Sequence, residues 1–523
     1  MNSTLSLGWP RLALASAVSL LAACGGSSGS GAPIALSDQN INLIFVLSPD
    51  LTYAASGDVN PVTTNLTNQG LNRSLQMASY LKQQVLGGKN VTGIYAVAPM
   101  THLQTINNLP DMAPLGAIQQ FAMLNQISLP KPANTTQANS FPLNVGYAAA
   151  MVLPTGVVAP FAPLPCPNCQ GLDFSNSGGN NDALVARIVA AKTTGFHVFS
   201  APWETATAML TNINKLYGSS LTMPSSYAGP NQVYAVSITP SGSASLITYN
   251  SNLTPTIAAP VLPVALPKTA CNAPIAQAQQ FSFSIKAGQP YSQTLNGVTT
   301  TGTVNAVLPK NISTNQTVYM IRHAEAHPSS SFDDGNFVAA GQWRALGLAD
   351  ALRGKISPDM VYSIDPAQVA GMPGSPNMFS YVRTDMTVEP YAIANNLPFY
   401  LVSSFSLMDV DLTNLPDSLP ASQSVINANN YFFIGGTFSG KKILLAWEHD
   451  HLPPTLNDLL SRYFPFPNGG APVFSNTFWP DTDYDTVWTV KLDAQGNLTA
   501  DNALCEGIDS TILQANFSAA PKF

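Results

Sequence analysis

Residues 317–328 read TVYMIRHAEAHP, and the interpretation of the whole chain starts from this stretch. A run of β-branched, aromatic and aliphatic residues, typical of a buried strand, ends at an arginine and a histidine. Charged residues make up only 9% of the 523 residues and six residues are histidine, so Arg322, His323, Glu325 and His327 form an unusual concentration. Open α/β sheets bind ligands at the carboxyl ends of their strands. We therefore take this strand end as a candidate functional site.

The composition excludes some classes of protein. A typical soluble protein is about 25% charged, so much of this surface must consist of uncharged polar residues. The net charge is −7 and the sequence contains no basic run, which argues against a nucleic-acid partner. A hydrophobic content of 45% is ample for two or three cores at about 150 residues per domain.

An internal repeat organises the chain. Residues 66–82, LTNQGLNRSLQMASYLK, match residues 337–353, FVAAGQWRALGLADALR, and both show the spacing of an amphipathic helix. Each follows an apolar strand-like run and precedes another one. A later pair of segments shares Trp-Glu, at 203–204 and 447–448. Strands that alternate with helices predict α/β domains with mostly parallel sheets.

We therefore predict two tandem three-layer α/β/α domains. The first covers residues 41–262 and the second covers residues 316–516. Residues 263–315 are rich in Pro, Ala and Thr and are predicted to be a linker, with a hairpin signal around FSFSIKAGQPYSQTLNG.

The second domain resembles the histidine phosphatase superfamily, also called phosphoglycerate mutase-like. Four motifs occur in the superfamily's order: YMIRHAEAHP, VYSIDP, RTDMTVEPYAIANNLP and KILLAWEH. Ala324 replaces the usual glycine of the first motif, and Ala326 stands where the acid phosphatase branch has a further arginine. The resemblance implies a phosphoglycerate mutase-like fold. It also implies hydrolysis of phosphomonoesters of the histidine acid phosphatase type, without a metal or cofactor.

The resemblance also implies roles for single residues. His323 would be the nucleophile that takes the phosphoryl group, since neutral imidazole is a good nucleophile near physiological pH. Arg322 and Arg383 would bind the phosphate oxygens through their forked guanidinium groups. His449 would donate a further hydrogen bond to the same oxygens. Glu325 would contact the substrate or orient Arg322 or His323.

The leaving group needs a proton, and the sequence leaves several donors open. Asp450 directly follows His449 and is slightly favoured. The alternatives are Glu389, Glu325, Asp409 and Glu448. Four other histidines receive less weight: His327 and His451 are expected at the surface or rim, and His102 and His197 are expected to be structural.

The first domain is predicted to be a degenerate copy. Aligning the apolar runs puts Val46 and Leu47 near the places of Arg322 and His323. The shared Leu-Pro pairs put Leu115 opposite Arg383, and the shared Trp-Glu pairs put Thr205 opposite His449. None of these residues can stabilise phosphoryl charge, so this domain is expected to be structural or to bind something else.

The N-terminus has the pattern of a bacterial lipoprotein. Residues 1–23 contain Arg11 followed by an apolar run that is too short to span a bilayer and resembles a signal peptide. Residues 21–24, LAAC, resemble a lipobox, which implies lipidation of Cys24, and residues 24–40 are predicted to be a flexible tether. The chain is expected to be exported and held at the membrane by its lipid, and Gly25 favours the outer membrane.

The other four cysteines suggest disulfides in an exported protein. Cys166 and Cys169 form C-P-N-C in a Pro-rich loop, where a local disulfide is preferred over a zinc site or a thioredoxin-like site. Cys271 and Cys505 would then form the second pair.

We expect a phosphorylated small molecule as substrate. The alternative from another class is a catalytically inactive binding or scaffold lipoprotein that retains the phosphatase fold. A mutase is a weaker third option, because an exported mutase would lack its usual metabolic context.

Overall fold

The computed structural model describes residues 34–53, 57–104, 109–125, 142–145, 171–262, 266, 268, 280–327, 333–367, 369–370, 379–402, 423–464 and 479–509. These residues belong to one compact unit. No helix in these ranges is both long enough and apolar enough to cross a bilayer.

The first half contains one mixed sheet and the helices around it. Its strands are β1 (Ile41–Leu47), β2 (Gly93–Ala96), β3 (Asn144–Val145), β4 (Gly195–Ala201), β5 (Gln232–Ile238) and β6 (Ala244–Asn250). Its α-helices are α1 (Asn68–Tyr80), which continues as a π-helical turn over Leu81–Val85, α2 (Ala113–Leu124), α3 (Asn180–Ala190) and α4 (Trp203–Leu216). A short 3-10 turn covers Pro99–Thr101.

The second half contains a larger sheet. Its strands are β7 (Phe281–Ile285), β8 (Pro290–Leu295), β9 (Val298–Asn305), β10 (Gln316–Arg322), β11 (Met360–Ile364), β14 (Phe399–Val402), β15 (Lys442–Trp447), β16 (Thr486–Leu492) and β17 (Leu498–Cys505), and a separate ribbon is formed by β12 (Val369–Ala370) and β13 (Phe379–Ser380). Its α-helices are α5 (Ala339–Ala351), α6 (Arg383–Ala394), α7 (Gln423–Phe432) and α8 (Leu452–Ser461).

Both sheets repeat one strand order. The first is β3-β2-β4-β1-β5-β6, and the second is β14-β11-β15-β10-β16-β17-β7-β8-β9. In each sheet the first four strands run parallel and the following strands run antiparallel. The predicted α/β class is therefore confirmed, and the matching order agrees with the internal repeat.

The predicted linker contains regular structure. Within residues 263–315, β7 pairs with β17 and then continues through β8 to β9, so these strands widen the second sheet. Phe281 and Phe283 bury their rings in the second half's core, and this burial explains why the segment joins the sheet. The hairpin expected there is β7–β8, whereas the domain boundaries themselves remain a prediction.

The side chains of the central strands alternate between two layers of helices. In β1, Leu43 and Phe45 face the core that contains α3 and α4, whereas Ile44 and Val46 face α1 and α2. All seven residues of β1 are buried, as expected for a parallel strand covered on both faces. The second sheet is covered in the same way, by α7 and α8 on one face and α5 and α6 on the other.

The inner helices of the two halves share a single hydrophobic core. One cluster of buried side chains joins Ile44 of the first sheet to Ile321 of the second, and includes residues of α1, α2, α5 and α6. Helix α2 contacts both α5 and α6, and α1 also contacts α6. These four helices therefore form one layer between the two sheets.

A buried carboxyl lies at the contact between α2 and α6. A Cβ added to Gly116 of α2 would lie 2.5 Å from Glu389 Oε1, so glycine leaves the space that this side chain occupies. Burial, together with the charge of Asp111, raises the pKa of Glu389 well above its usual value. Burial and the charge of Glu389 likewise raise the pKa of Asp385 on the same helix. The neutral acid is the form that suits this interface.

This burial predicts a pH dependence of stability. The folded-state pKa of Glu389 lies above its unfolded value, so the folded state binds more protons and the free energy of unfolding falls as pH rises above about 4.3. The limiting slope is about 1.4 kcal/mol per pH unit for one group. Glu389→Gln should remove up to that much of the slope in urea titrations at several pH values. The control is Asp350→Asn, at an exposed carboxylate of α5, and an unchanged slope in Glu389→Gln would contradict the prediction.

Candidate active site

Adjacent parallel strands bring the two predicted catalytic histidines to one edge of the second sheet. Strand β10 pairs with β15 so that Arg322 lies opposite Trp447. The His323 N–H donates to the Trp447 carbonyl at 3.1 Å. His449 follows Trp447 by two residues, so both imidazoles project from the carboxyl ends of neighbouring strands.

The start of helix α6 brings Arg383 to the same edge. The Arg383 N–H donates to the Gly335 carbonyl at 3.0 Å. Gly335 has φ +76°, and a Cβ there would lie 2.0 Å from the Ser380 carbonyl oxygen, so only glycine fits. The Thr387 hydroxyl donates to the Arg383 carbonyl at 2.6 Å and accepts the Ala324 N–H at 2.8 Å. These bonds tie α6 to the loop that carries the proposed nucleophile.

His323 is held as a neutral imidazole. It is 1% exposed, and its Nδ1 lies 2.7 Å from the Ala324 carbonyl. Because a carbonyl can only accept, Nδ1 carries the proton and Nε2 keeps its lone pair. Burial and the positive charges of Arg383 and Arg322 lower the pKa of His323 well below its usual value. The ring is therefore available as a nucleophile at neutral pH.

The two arginines are partly satisfied by the protein. The Arg322 guanidinium lies 4.0 Å above the Tyr484 ring, and its Nη1 donates to the backbone carbonyls of Pro480, Asp481 and Asp483. The Arg383 guanidinium lies 4.1 Å above the Tyr381 ring and forms an ion pair with Asp333. The Tyr484 and Tyr381 rings also flank His323, with centroids at 6.0 and 5.8 Å.

Each of these arginines has a buried donor that the described part of the protein does not satisfy. The Nε atoms of Arg322 and Arg383 are buried and have no hydrogen-bond partner among the described residues. A buried unpaired donor costs about 1–3 kcal/mol, and more when it carries charge. Two such donors beside a neutral imidazole form a site that an anion would satisfy.

The surroundings of His449 shift its pKa in the opposite direction from that of His323. Its Nδ1 is paired with Glu448, and its Nε2 lies 2.9 Å from Asp481 and 3.5 Å from Asp450. Burial alone would lower the pKa of His449, but the hydrogen bond to Glu448 and its charge outweigh burial and raise it. The carboxylates around His449 therefore favour its charged form, in which both ring nitrogens are donors.

The carboxylates around His449 differ in their readiness to donate a proton. Burial would raise the pKa of Glu448, but hydrogen bonds from His449 and His451 hold it well below its usual value, so Glu448 is a poor acid. Burial and the charge of Glu448 raise the pKa of Asp450. Among the open candidates, Asp409 lies outside the described residues, and Glu389 lies at the α2–α6 contact. Asp450 thus combines a raised pKa with a position beside His449.

Glu325 has a different role from the predicted one. Its side chain is fully buried and accepts from Arg344 Nε at 2.8 Å. Arg344, from α5, also pairs with Glu506 and Asp485. The prediction that Glu325 contacts substrate or orients Arg322 or His323 is therefore corrected, because the carboxylate neutralises a buried arginine instead.

His451 also differs from its prediction. It was expected at the surface or rim, yet it is 1% exposed and its ring stacks on Trp447 with centroids 4.9 Å apart. Its Nδ1 lies 3.3 Å from Glu448, so it helps to keep that carboxylate ionised. Trp447 supplies an apolar surface for the ring, which explains the burial.

Three side chains of the site are potential metal ligands. Atoms of His323, Glu448 and His449 that could serve as ligands lie within 4.8 Å of one another. The positive charges of Arg322 and Arg383, which lower the pKa of His323, disfavour a cation at the same point. The arrangement suits an anion better.

The first half has the same edge without these charges. In both halves, the amide that follows the first parallel strand donates to the carbonyl at the end of its neighbour. When the two registers are superimposed, Leu47 and Ser48 occupy the positions equivalent to Arg322 and His323. The assignment of Val46 and Leu47 to these positions is therefore wrong by one residue. The residues opposite the four predicted catalytic positions are uncharged: Leu47, Ser48, Ala113 and Trp203.

Two other predicted equivalences shift as well. Helices α2 and α6 both contain twelve residues, and their first residues are Ala113 and Arg383, so Ala113 replaces Leu115 as the equivalent. Counted from the registered strand ends, Trp203 replaces Thr205 opposite His449. Trp447 is the last residue of β15, whereas Trp203 comes two residues after the end of β4, so the shared Trp-Glu pairs do not mark equivalent positions.

The cysteines are only partly described. Cys505 is disulfide-bonded. Cys24, Cys166, Cys169 and Cys271 lie outside the described residues, so the lipidation and the predicted pairings remain predictions.

Sequence reasoning missed several groups that shape the site. Tyr381 and Tyr484 hold the guanidinium groups, Asp333 pairs with Arg383, and Asp481 accepts from His449. Only Tyr381 carried a sequence signal, as an aromatic two positions before a candidate arginine. Thr387 lay inside a quoted motif but without an assigned role.

Comparisons with known proteins found similar solved structures. No protein-family model and no curated protein matches the chain. A proposed phosphohistidine phosphatase SixA from Nakamurella multipartitia is 14% identical, with a TM-score of 0.21, and the match covers 41% of this chain and 94% of that one. A mycobacterial glucosyl-3-phosphoglycerate phosphatase is 13% identical, with a TM-score of 0.23 and coverage of 37% and 99%. Mycobacterial hydrolase 2 is 11% identical, with a TM-score of 0.24 and coverage of 42% and 93%. Likenesses at this level carry no argument about the activity of this chain.

Proposed function

We propose that the second half is a phosphomonoester hydrolase of the histidine phosphatase type, acting on a phosphorylated small molecule. The observation that carries the proposal is the pair of buried, unpartnered Nε–H groups of Arg322 and Arg383 beside neutral His323. Phosphoryl transfer needs positioning and positive charge around three equatorial oxygens. These donors, together with charged His449, supply both.

The reaction proceeds in two steps. In the first, the His323 Nε2 lone pair forms a bond to phosphorus while the ester P–O bond breaks, and the leaving oxygen takes a proton. In the second, water attacks phosphorus, the P–N bond breaks, and inorganic phosphate leaves. The proton on Nδ1, held by the Ala324 carbonyl, keeps the ring in the required tautomer through both steps.

Asp450 is the proposed general acid. Burial and the charge of Glu448 raise the pKa of Asp450, which favours the protonated form that a general acid needs. Its position beside His449 puts it at the rim of the same site. After the first step its carboxylate can accept a proton from the attacking water, as microscopic reversibility requires.

The first half is proposed to be inactive toward phosphomonoesters. Leu47, Ser48, Ala113 and Trp203 replace the four groups that would bind phosphate. Its proposed contribution to the reaction is structural, because α2 packs against α6 and so supports the helix that begins with Arg383.

We further propose that the protein is exported and anchored to the membrane by lipid on Cys24, at the outer membrane. Support comes from the arginine, apolar run and LAAC sequence at residues 11–24. The Ser- and Gly-rich residues that follow would let the catalytic unit extend from the surface.

Replacement of the nucleophile tests the activity. His323→Ala should reduce release of phosphate from p-nitrophenyl phosphate by roughly a thousandfold or more, because no covalent route remains. The unchanged protein should also show acid-labile protein-bound phosphate after brief reaction with a 32P-labelled substrate. The control is His197→Gln, at a buried histidine of β4, which should keep its turnover. Absence of turnover in the unchanged protein would instead favour the inactive binding lipoprotein. Equal turnover in His323→Ala would refute His323 as the nucleophile.

Leaving-group dependence tests the acid. Asp450→Asn should slow hydrolysis of an alkyl phosphate by about a hundredfold, because an alkoxide must be protonated as it leaves. It should affect p-nitrophenyl phosphate much less, since that leaving group is a weak base. Steady-state rates with both substrates provide the measurement, and an equal loss for both would assign the proton to another group.

Metabolic labelling tests the anchor. In a bacterium that expresses the full chain, radioactive palmitate should label the protein, and Cys24→Ala should abolish the label and release the protein from the membrane fraction. Ser27→Ala serves as the control and should remain labelled. Labelling that persists in Cys24→Ala would refute lipidation at this residue.

A further inference from the structure

A second cluster of potential ligands lies in the first half, away from the phosphatase site. Asp50 follows β1, His102 follows the 3-10 turn beyond β2, and Asp111 precedes α2. His102 Nδ1 lies 2.8 Å from Asp111 Oδ2 and 3.6 Å from Asp50 Oδ2. All three ligand atoms lie within 4.8 Å of one another. The three loops therefore converge on one point.

Each side chain of the cluster is fixed in place by a different contact. Asp50 Oδ1 accepts the Thr52 N–H at 2.7 Å, and Asp111 Oδ1 accepts the Ala113 N–H at 3.0 Å. The His102 ring stacks on Phe174, with centroids 3.7 Å apart and planes at 3°. Each carboxylate thus uses one oxygen for the backbone and presents the other to the cluster, as preorganised metal ligands do.

One oxygen in the cluster lacks a hydrogen bond. Asp50 is 2% exposed, and its Oδ2 is buried, points toward His102 and has no hydrogen-bond partner in the described part of the chain. The Oε2 atom of neighbouring Glu204 is also buried and has no hydrogen-bond partner among the described residues. An ionised oxygen in this position is costly to bury unless a cation accompanies it.

The cluster brings carboxylates from two loops to one imidazole. Asp50 Oδ2 and Asp111 Oδ2 both approach His102 Nδ1, and these atoms all lie within 4.8 Å of one another. Two carboxylate oxygens and one imidazole nitrogen at this spacing form a ligand set of the kind that holds a divalent cation.

We propose that Asp50, His102 and Asp111 bind a divalent first-row transition-metal ion, with Glu204 close enough to add charge. Ligands about 2.1 Å from a metal stand about 3.0 Å apart at octahedral angles and about 3.4 Å apart at tetrahedral angles. The separations of 2.8 and 3.6 Å bracket those values. Imidazole with carboxylates favours Mn²⁺ or Zn²⁺ over Ca²⁺, which takes oxygen ligands only.

This proposal is independent of the phosphatase activity. By strand register, Asp50 occupies the position in the first half that Glu325 occupies in the second half. Glu325 forms an ion pair with Arg344. In the first half the corresponding carboxylate faces a histidine and a second carboxylate instead. The same edge of the two sheets thus has opposite electrostatic character, anion-binding in one half and cation-binding in the other.

Mn²⁺ is the probe for the test, because it prefers carboxylate and imidazole to cysteine thiolates. The full chain carrying His323→Ala should be freed of metal with chelator and titrated with Mn²⁺, and the free ion should be followed by its EPR signal. The His323→Ala background removes one of the three potential ligands, His323, Glu448 and His449, that lie together in the second half. One Mn²⁺ per chain is expected, displaced by Zn²⁺. Asp50→Asn and His102→Gln should each weaken binding at least tenfold.

The controls separate ligands from bystanders. His197→Gln replaces a buried histidine outside the cluster, and Asp182→Asn replaces a carboxylate on α3, and both should bind Mn²⁺ like the parent. Where a cluster variant fails to fold, pulsed EPR of Mn²⁺ on the parent should show coupling to one imidazole nitrogen. Absence of stoichiometric binding, absence of nitrogen coupling, or unchanged affinity in folded Asp50→Asn and His102→Gln would overturn the proposal.

Discussion

The structure depends on burial of one layer of helices between two sheets. Helices α1, α2, α5 and α6 contribute to a single hydrophobic core that reaches both β1 and β10. Burial of apolar surface contributes about 25 cal/mol per Å², and this layer loses water on both sides. Helix α6, which begins at Arg383, packs mainly on the second half and also contacts α1 and α2 of the first half.

The candidate site contains several charged or titratable side chains that are buried. Two guanidinium groups and two imidazoles meet where little water is available. Aromatic faces, backbone carbonyls and Asp333 stabilise the arginines. The two imidazoles have opposite pKa shifts. Burial and the two arginines lower the pKa of His323, whereas the hydrogen bond to Glu448 and its charge outweigh burial and raise the pKa of His449. Nearby positive charges thus disfavour a second proton on His323, whereas nearby carboxylates favour one on His449.

The sequence predicted the parts of this arrangement that are local. A strand ending in Arg-His, a second ending near His449 and a helix beginning at Arg383 could be read from runs of residues. The repeat predicted two α/β halves, and the matching strand orders agree with it. Equivalent positions were displaced by one or two residues, because apolar runs and Trp-Glu pairs do not determine the register.

Contacts between distant segments could not be predicted in this way. Glu325 lies within the motif YMIRHAEAHP, yet its partner Arg344 belongs to the repeated helix, and nothing in either segment's pattern indicates that the two pair. Arg73 likewise forms a buried ion pair, with Asp58 at 2.7 Å. The shared core is only weakly visible in the sequence. Most residues of α6 are buried, so the apolar residues of this helix are not confined to one face.

The shared helical layer has a consequence for the history of the chain. Loss of the first half would expose the inner faces of α5 and α6 to water, and large exposed apolar faces promote aggregation. Selection would therefore keep the first half whether or not it binds phosphate. Its loops at the sheet edge would then be free to take other ligands, and the cluster around His102 lies in those loops.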